Sequence, residues 1–209
     1  IMKYYLLFFL LPFALFSQDR PYGKLWATRS QVIAQNGMAA TSHPLSTQVA
    51  LDVLKAGGNA IDAAIAANAM EGVVEPHVNG IGGDLFAIVW DAKTKKLYGI
   101  NGSGRSPKSL TLAEFKKRGL THIPSTGPLP VSVPGCVDAW FELHKKFGSM
   151  PMSKVLEKAV SYARNGFPVH GELASGLARV QANYGKYPNV DKHYYPNGKV
   201  AQEGDIFKK

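Results

Sequence analysis

The chain has 209 residues, 45% of them hydrophobic, and a formal net charge of +9. That is enough length and apolar content for one domain with its own core, and it excludes a disordered or low-complexity polypeptide. Lys and Arg are scattered apart from short runs such as Lys116-Lys117-Arg118, with no basic stripe and no nucleic-acid-binding motif, so no nucleic acid is expected as a partner.

Lys3, the apolar run Tyr4 to Phe16, and Ser17 before the polar Gln18-Asp19-Arg20 predict a secretory signal peptide over residues 1–17. The run is too short to span a bilayer comfortably, and no later segment is long and apolar enough to do so. An uncleaved anchor is the alternative. With the leader removed, residues 18–209 are expected to form one domain of a secreted or periplasmic protein, with no membrane attachment.

Gln18 to Leu25 reads as an extended lead-in, broken by Pro21 and Gly23. Val32-Ile33-Ala34 and Met38 to Thr41 are strand candidates that flank an Asn36-Gly37 turn, the pattern of a hairpin. Ser42-His43-Pro44 is a helix start, with Leu45, Val49, Ala50, Val53 and Leu54 on one apolar face and Gly57-Gly58 as the stop. Asn59 begins a second helix that runs to about Val74, with Ile61, Ala64, Ile65, Ala69 and Gly72 as a small-residue face, and Glu75-Pro76 ends it. Gly80 to Asp84 is a turn. Leu85 to Trp90 predicts a strand of the buried type, with Lys96 to Asn101 as its return strand. After the loop Gly102–Pro107, a short helix is expected over Leu112–Arg118 and a short strand at Val131–Val133. Helices follow at about Val137–Phe147, Ser153–Asn165 and Glu172–Asn183, and the chain is loop-like from Tyr184.

The residues themselves form no complete catalytic constellation. Gly80-Ile81-Gly82-Gly83 leads into a strand, whereas phosphate loops lead into a helix N-terminus. The six histidines form no HExxH motif and no i,i+4 pair, so no metal is expected. His43 and His77 flank helices and are either structural or near a site. Cys136 is the single cysteine, which rules out an intrachain disulfide. At a helix start it is either dipole-activated or a small buried residue. There is no GxSxG elbow. Asn101-Gly102-Ser103 is a formal glycosylation sequon. No cofactor is expected.

Ordered blocks carry a more specific signal. Met38-Ala39-Ala40 and Ser42-His43-Pro44-Leu45-Ser46-Thr47-Gln48 are followed by Gly57-Gly58-Asn59-Ala60-Ile61-Asp62-Ala63-Ala64. Val73-Val74-Glu75-Pro76-His77, Gly80-Ile81-Gly82-Gly83-Asp84, Val133-Pro134-Gly135 and the segment Ala159 to Val169 come after these. Together they resemble the opening of the large subunit of the gamma-glutamyltranspeptidase family. The resemblance implies the αββα sandwich of the N-terminal-nucleophile hydrolases, incomplete in this chain. It also implies a precursor that cuts itself into a large and a small subunit. The freed N-terminal Thr of the small subunit attacks an amide carbonyl, and an oxyanion hole stabilises the intermediate. The acyl group then passes to water or to an amine, with glutathione the usual donor.

On that resemblance this chain is a fragment of such a precursor, inactive alone, and it contains no catalytic residue. The expected partners are the small subunit and a gamma-glutamyl or related amide substrate. In the family an Arg after the return strand pairs with the substrate α-carboxylate, as its planar fork suits. Aligned on Pro107, that Arg falls at Ser103, and Arg105 lies two residues on. Ser103 and Arg105 are therefore the candidate substrate-binding residues, and Arg105 is expected to contact the acyl-side carboxylate. The departure leaves two alternatives open: an acylase of the same family for non-glutamyl amides, and a catalytically inactive binding or scaffold protein. Half a sandwich should also expose apolar faces of the Leu85–Trp90 strand and the Ala60–Val74 helix.

Overall fold

The computed structural model describes residues 32–195 and 198–208, and the chain divides into Ile1–Gln35 and Asn36–Lys209. The predicted signal peptide and lead-in lie outside the described residues. Val32 to Ala34 is not a strand, and Val32 and Ile33 are exposed. Met38 to Thr41 is irregular as well. The Thr41 hydroxyl donates to the His43 carbonyl oxygen at 2.8 Å and lies 2.7 Å from the Thr47 hydroxyl, so the segment is tied into the next helix and not to a partner strand.

Helix α1 (Pro44–Lys55) starts with Pro44 in its first turn, and the His43 side chain is its N-cap: Nδ1 accepts the Leu45 N–H at 3.1 Å. Gly57, at φ +92°, turns the chain away from the helix end. Helix α2 (Ala60–Val74) begins with a capping box in which Asn59 accepts from Ile61 and Asp62 while Asp62 accepts from Asn59. Ala63, Ile65, Ala66, Ala69, Met70 and Val74 are all buried, so this helix is covered nearly all round. The predicted small-residue face is therefore corrected: Ile65 and Ala69 are buried, but Ala64 is exposed. The expected exposure of α2 is corrected too, because α1, α4 (Cys136–Phe147), α5 (Met152–Val155) and α6 (Glu157–Asn165) pack against it.

The Asp62 carboxylate is fully buried and ties this packing together. It accepts the Asn59 N–H at 3.0 Å, the Ser149 N–H at 3.1 Å, the Ser149 hydroxyl at 2.6 Å and the Met150 N–H at 3.3 Å. Trp140 on α4 donates its indole N–H to Asn68 of α2 at 2.8 Å.

Strands β1 (Phe86–Asp91) and β2 (Lys96–Asn101) pair antiparallel, with Phe86 opposite Asn101 and Trp90 opposite Leu97. The strand is not of the buried type. Phe86, Ile88 and Trp90 are 67%, 80% and 59% exposed, while Ala87 and Val89 turn inward against the core. The alternation follows from the pleat, since helices cover one face of this two-stranded sheet and nothing among the described residues covers the other.

Helix α3 (Leu112–Lys117) is capped by Thr111. Val131 to Val133 is not a strand; Val133 makes a single backbone bond to the Arg105 carbonyl oxygen. The predicted Ser153–Asn165 helix is two helices, α5 and α6, that meet at Leu156. Helix α7 (Gly171–Tyr184) fits the predicted span. The loop-like tail holds helix α8 (Val190–Tyr194) and strand β4 (Ile206–Phe207), which pairs antiparallel with β3 (Phe167–Pro168). Phe167 and Phe207 stack edge to face at 5.8 Å in the core.

Candidate functional site

The two sequence-predicted site residues lie where three loops interlock beyond the open end of the β1–β2 hairpin. The hairpin is extended by a reciprocal backbone pair, Gly102 N–H to Leu85 O at 2.7 Å and Leu85 N–H to Gly102 O at 3.4 Å. The loop after β2 then folds against the loop before β1: Asp84 Oδ1 accepts the Gly104 N–H at 2.9 Å. A third loop, before α4, closes the brace. Gly135 and Cys136 donate to the Gly83 carbonyl oxygen at 3.1 and 3.0 Å, and Val133 donates to the Arg105 carbonyl oxygen at 2.9 Å. A side chain at Gly104 would overlap the Val133 carbonyl, so only glycine permits this approach. Ser103 is exposed and donates its N–H to the Asn101 carboxamide oxygen at 2.9 Å. Arg105 is exposed, with its backbone held on both sides and its guanidinium outside the three ion pairs found among the described residues. The arrangement presents a cation on a pinned backbone, which suits recognition of a carboxylate.

Cys136 is 2% exposed, and its thiol lies 3.7 Å from the Asn68 carboxamide oxygen. Burial pushes its pKa up and the Asp84 charge adds to this, so the thiol is a packed core group and not an activated nucleophile.

A second polar centre, which the sequence reading did not assemble, lies where α1, the end of α2 and the start of α7 meet. Glu71 and Glu75 are buried. The Ser42 hydroxyl lies 3.0 Å from Glu71 Oε2 and makes a short bond to Glu75 Oε2, and the His43 N–H donates to Glu71 Oε1 at 3.3 Å. Ser42 has one proton to give, so both contacts are hydrogen bonds only if one carboxyl is itself protonated. Burial, together with Glu75 beside it, raises the Glu71 pKa. Burial also acts upward on Glu75, but hydrogen bonds from Ser42 and Glu71 and the nearby His43 and His77 outweigh it, and the net direction is down. Of the two carboxyls, Glu71 therefore binds a proton the more readily.

The rings of His43 and His170 stand 4.7 Å apart. Both are helix N-caps through Nδ1, and His170 accepts the Leu173 N–H at 3.4 Å. His77 packs against Gly176 of α7, where a Cβ would overlap its ring. The centre joins three helices, which is a structural task. Its legible signal was the i,i+4 carboxylate pair at the end of α2, Glu71 in its last turn and Glu75 as its C-cap, a spacing that puts two acids on one side.

Residues 46–209 match the family model described as Gamma-glutamyltranspeptidase. The chain belongs to the gamma-glutamyltranspeptidase family. It is 42% identical over 177 residues to the glutathione hydrolase-like YwrD proenzyme of Bacillus subtilis, a match that takes in 84% of this chain and 33% of that one. Among solved structures it resembles the cephalosporin acylase of Bacillus halodurans at TM-score 0.82 and 40% identity, covering 91% of this chain and 37% of that one. It also resembles the gamma-glutamyltranspeptidase of Helicobacter pylori at TM-score 0.80 and 30% identity, covering 86% and 52%. The fold class is accordingly the mixed α/β one of these gamma-glutamyltranspeptidase and acylase structures, the N-terminal-nucleophile hydrolases. The chain spans about a third of the length of the curated relatives it matches.

Proposed function

We propose that the complete protein is a self-processing amidohydrolase and transferase that cleaves gamma-glutamyl amides such as glutathione through an acyl-enzyme on an N-terminal Thr. Residues 18–209 are then the N-terminal part of its large subunit, and residues 1–17 the export signal of a secreted or periplasmic protein. The observation that carries this reading is the three-loop brace, which holds Arg105 on a fixed backbone beyond the hairpin of the family fold. The small subunit of the same precursor is the expected partner. The uncovered apolar face of Phe86, Ile88, Trp90 and Leu97 supports that pairing, because a face of this kind needs a second layer to exclude water. No helix of the described residues is long and apolar enough to cross a membrane.

A second reading, an acylase for non-glutamyl amides, is favoured by two observations: Ser103 stands where the family's carboxylate-binding Arg is expected, and a cephalosporin acylase is a 40%-identical structural relative. The test is turnover by the complete, processed protein of a gamma-glutamyl anilide against acyl anilides that lack the α-carboxylate. Under the first reading Arg105→Ala raises KM for the gamma-glutamyl substrate about tenfold or more and leaves the others unchanged. An unchanged KM removes Arg105 from the site, and faster turnover of the carboxylate-free amides by the unmodified protein selects the acylase.

A further inference from the structure

Asp84 stands immediately before β1, yet its side chain serves the loop that follows β2. Its Oδ1 accepts the Gly104 N–H at 2.9 Å and lies 3.4 Å from the Ser132 hydroxyl. Gly104 lies between Ser103 and Arg105. On the other side of that peptide, the Arg105 carbonyl oxygen accepts the Val133 N–H at 2.9 Å. Arg105 thus leaves a backbone that is fixed on one side by a carboxylate and on the other by a neighbouring loop. Gly104 is pressed against the Val133 carbonyl, so the segment cannot relax inward.

Asp84 is placed to hold a loop other than its own. The residue is exposed, so it does not fill the core. A free carboxylate beside a loop that recognises an anion would oppose binding by simple repulsion. As an acceptor for the Gly104 N–H it acts differently, because it fixes the direction in which the next side chain departs. A pinned guanidinium loses less freedom on meeting a carboxylate than one on a loose loop, and a misplacement of about 1 Å is costly to recognition.

We propose that Asp84 is a positioning residue for carboxylate recognition, acting through the Gly104 N–H to aim Arg105 at the acyl end of the substrate. This rests on the reading of Arg105 given above. What Asp84 supplies is an acceptor at one place, not a negative charge. Asparagine keeps that acceptor, alanine removes it, and glutamate moves it outward by one methylene.

The experiment compares D84A, D84N, D84E and R105A in the complete, processed protein. Initial rates are measured on two anilides with the same leaving group, gamma-glutamyl and 4-aminobutanoyl, which differ only in the α-carboxylate. D84A and D84E are expected to raise KM for the gamma-glutamyl anilide about tenfold with kcat within about twofold, to leave the 4-aminobutanoyl anilide unchanged, and D84N to stay within about twofold of the unmodified protein on both. If R105A raises KM and D84A does not, the role of Asp84 is overturned while the reading of Arg105 stands. If R105A changes nothing, both fall. Equal losses by D84A on the two substrates mean that Asp84 serves the fold alone, and D84N losing as much as D84A removes the acceptor role. Should D84A fail to mature, D84E against D84N decides in the same way.

Discussion

Replacing Asp62 by alanine should be among the most damaging single changes in the chain. The carboxylate is fully buried and accepts from the backbone N–H groups of Asn59, Ser149 and Met150 and from the Ser149 hydroxyl. Alanine leaves those donors facing a small void. Each orphaned buried donor costs about 1–3 kcal/mol, though water entering the void recovers part of it. Loss of one half of the capping box at the start of α2 adds about 1 kcal/mol. A net loss of about 3–5 kcal/mol follows, which lowers the melting temperature of the complete protein by several degrees. Thermal unfolding of the complete protein and its D62A and D62N variants, followed by circular dichroism, reads this directly. D62N keeps an acceptor oxygen and should fall between the two. Burial acts upward on the Asp62 pKa, but hydrogen bonds from Ser149, Asn59 and Met150 outweigh it and bring it below the ordinary carboxylate range. Its contribution is therefore complete above about pH 4 and is lost as the pH falls through the folded-state value. A D62A melting temperature within about 2 °C of the unmodified protein would refute the reasoning.

Burial holds the His43 pKa below the usual imidazole range, and His170 pushes the same way against an opposing Glu75. The unfolded chain thus takes up the proton first as pH falls, so the stability His43 contributes is complete above about pH 6.5 and is lost as the pH drops through the folded-state value. H43N keeps a cap acceptor but cannot titrate, so its melting temperature should change less than that of the unmodified protein between about pH 7 and about pH 5.5; equal slopes would count against the cap. Gly104→Ala forces a Cβ onto the Val133 carbonyl, and the loop must move. It should destabilise by about 2–4 kcal/mol and raise KM for a carboxylate-bearing substrate, and normal melting with normal KM would show that the loops are not locked together.

The helical frame was legible because its signals are local. Pro44 after a capping side chain, Asn59 before an Ala-rich run, and Gly57 at positive φ announce the two central helices within a few residues. The β1–β2 pairing was equally plain from two short runs around a polar turn. The strand's burial was misread because a continuous apolar run looks the same whether one face or both are covered. Phe86, Ile88 and Trp90 are apolar yet exposed, and nothing in the run itself says where their cover comes from.

The small β3–β4 pair was missed for a different reason. Its strands are two residues each and joined across α7 and α8, so neither periodicity nor a turn signal marks them. The same holds for the polar centre of Ser42, Glu71, Glu75 and His170, whose members come from three separate stretches of chain. Arg105 and Ser103 could be named from the order of motifs, but the brace that orients them could not. It depends on Asp84 and Val133 reaching across loops that are distant in sequence.

The central claim is that these residues supply the frame and a carboxylate-recognising wall, while the attacking hydroxyl belongs to other polypeptide of the same precursor. Peptide mapping by mass spectrometry, after the complete protein is trapped with a slowly released gamma-glutamyl acylating agent, tests this most directly. The account predicts the acyl group on an N-terminal threonine outside residues 1–209. An acyl group on Cys136, Ser42 or any other residue of this chain would contradict it.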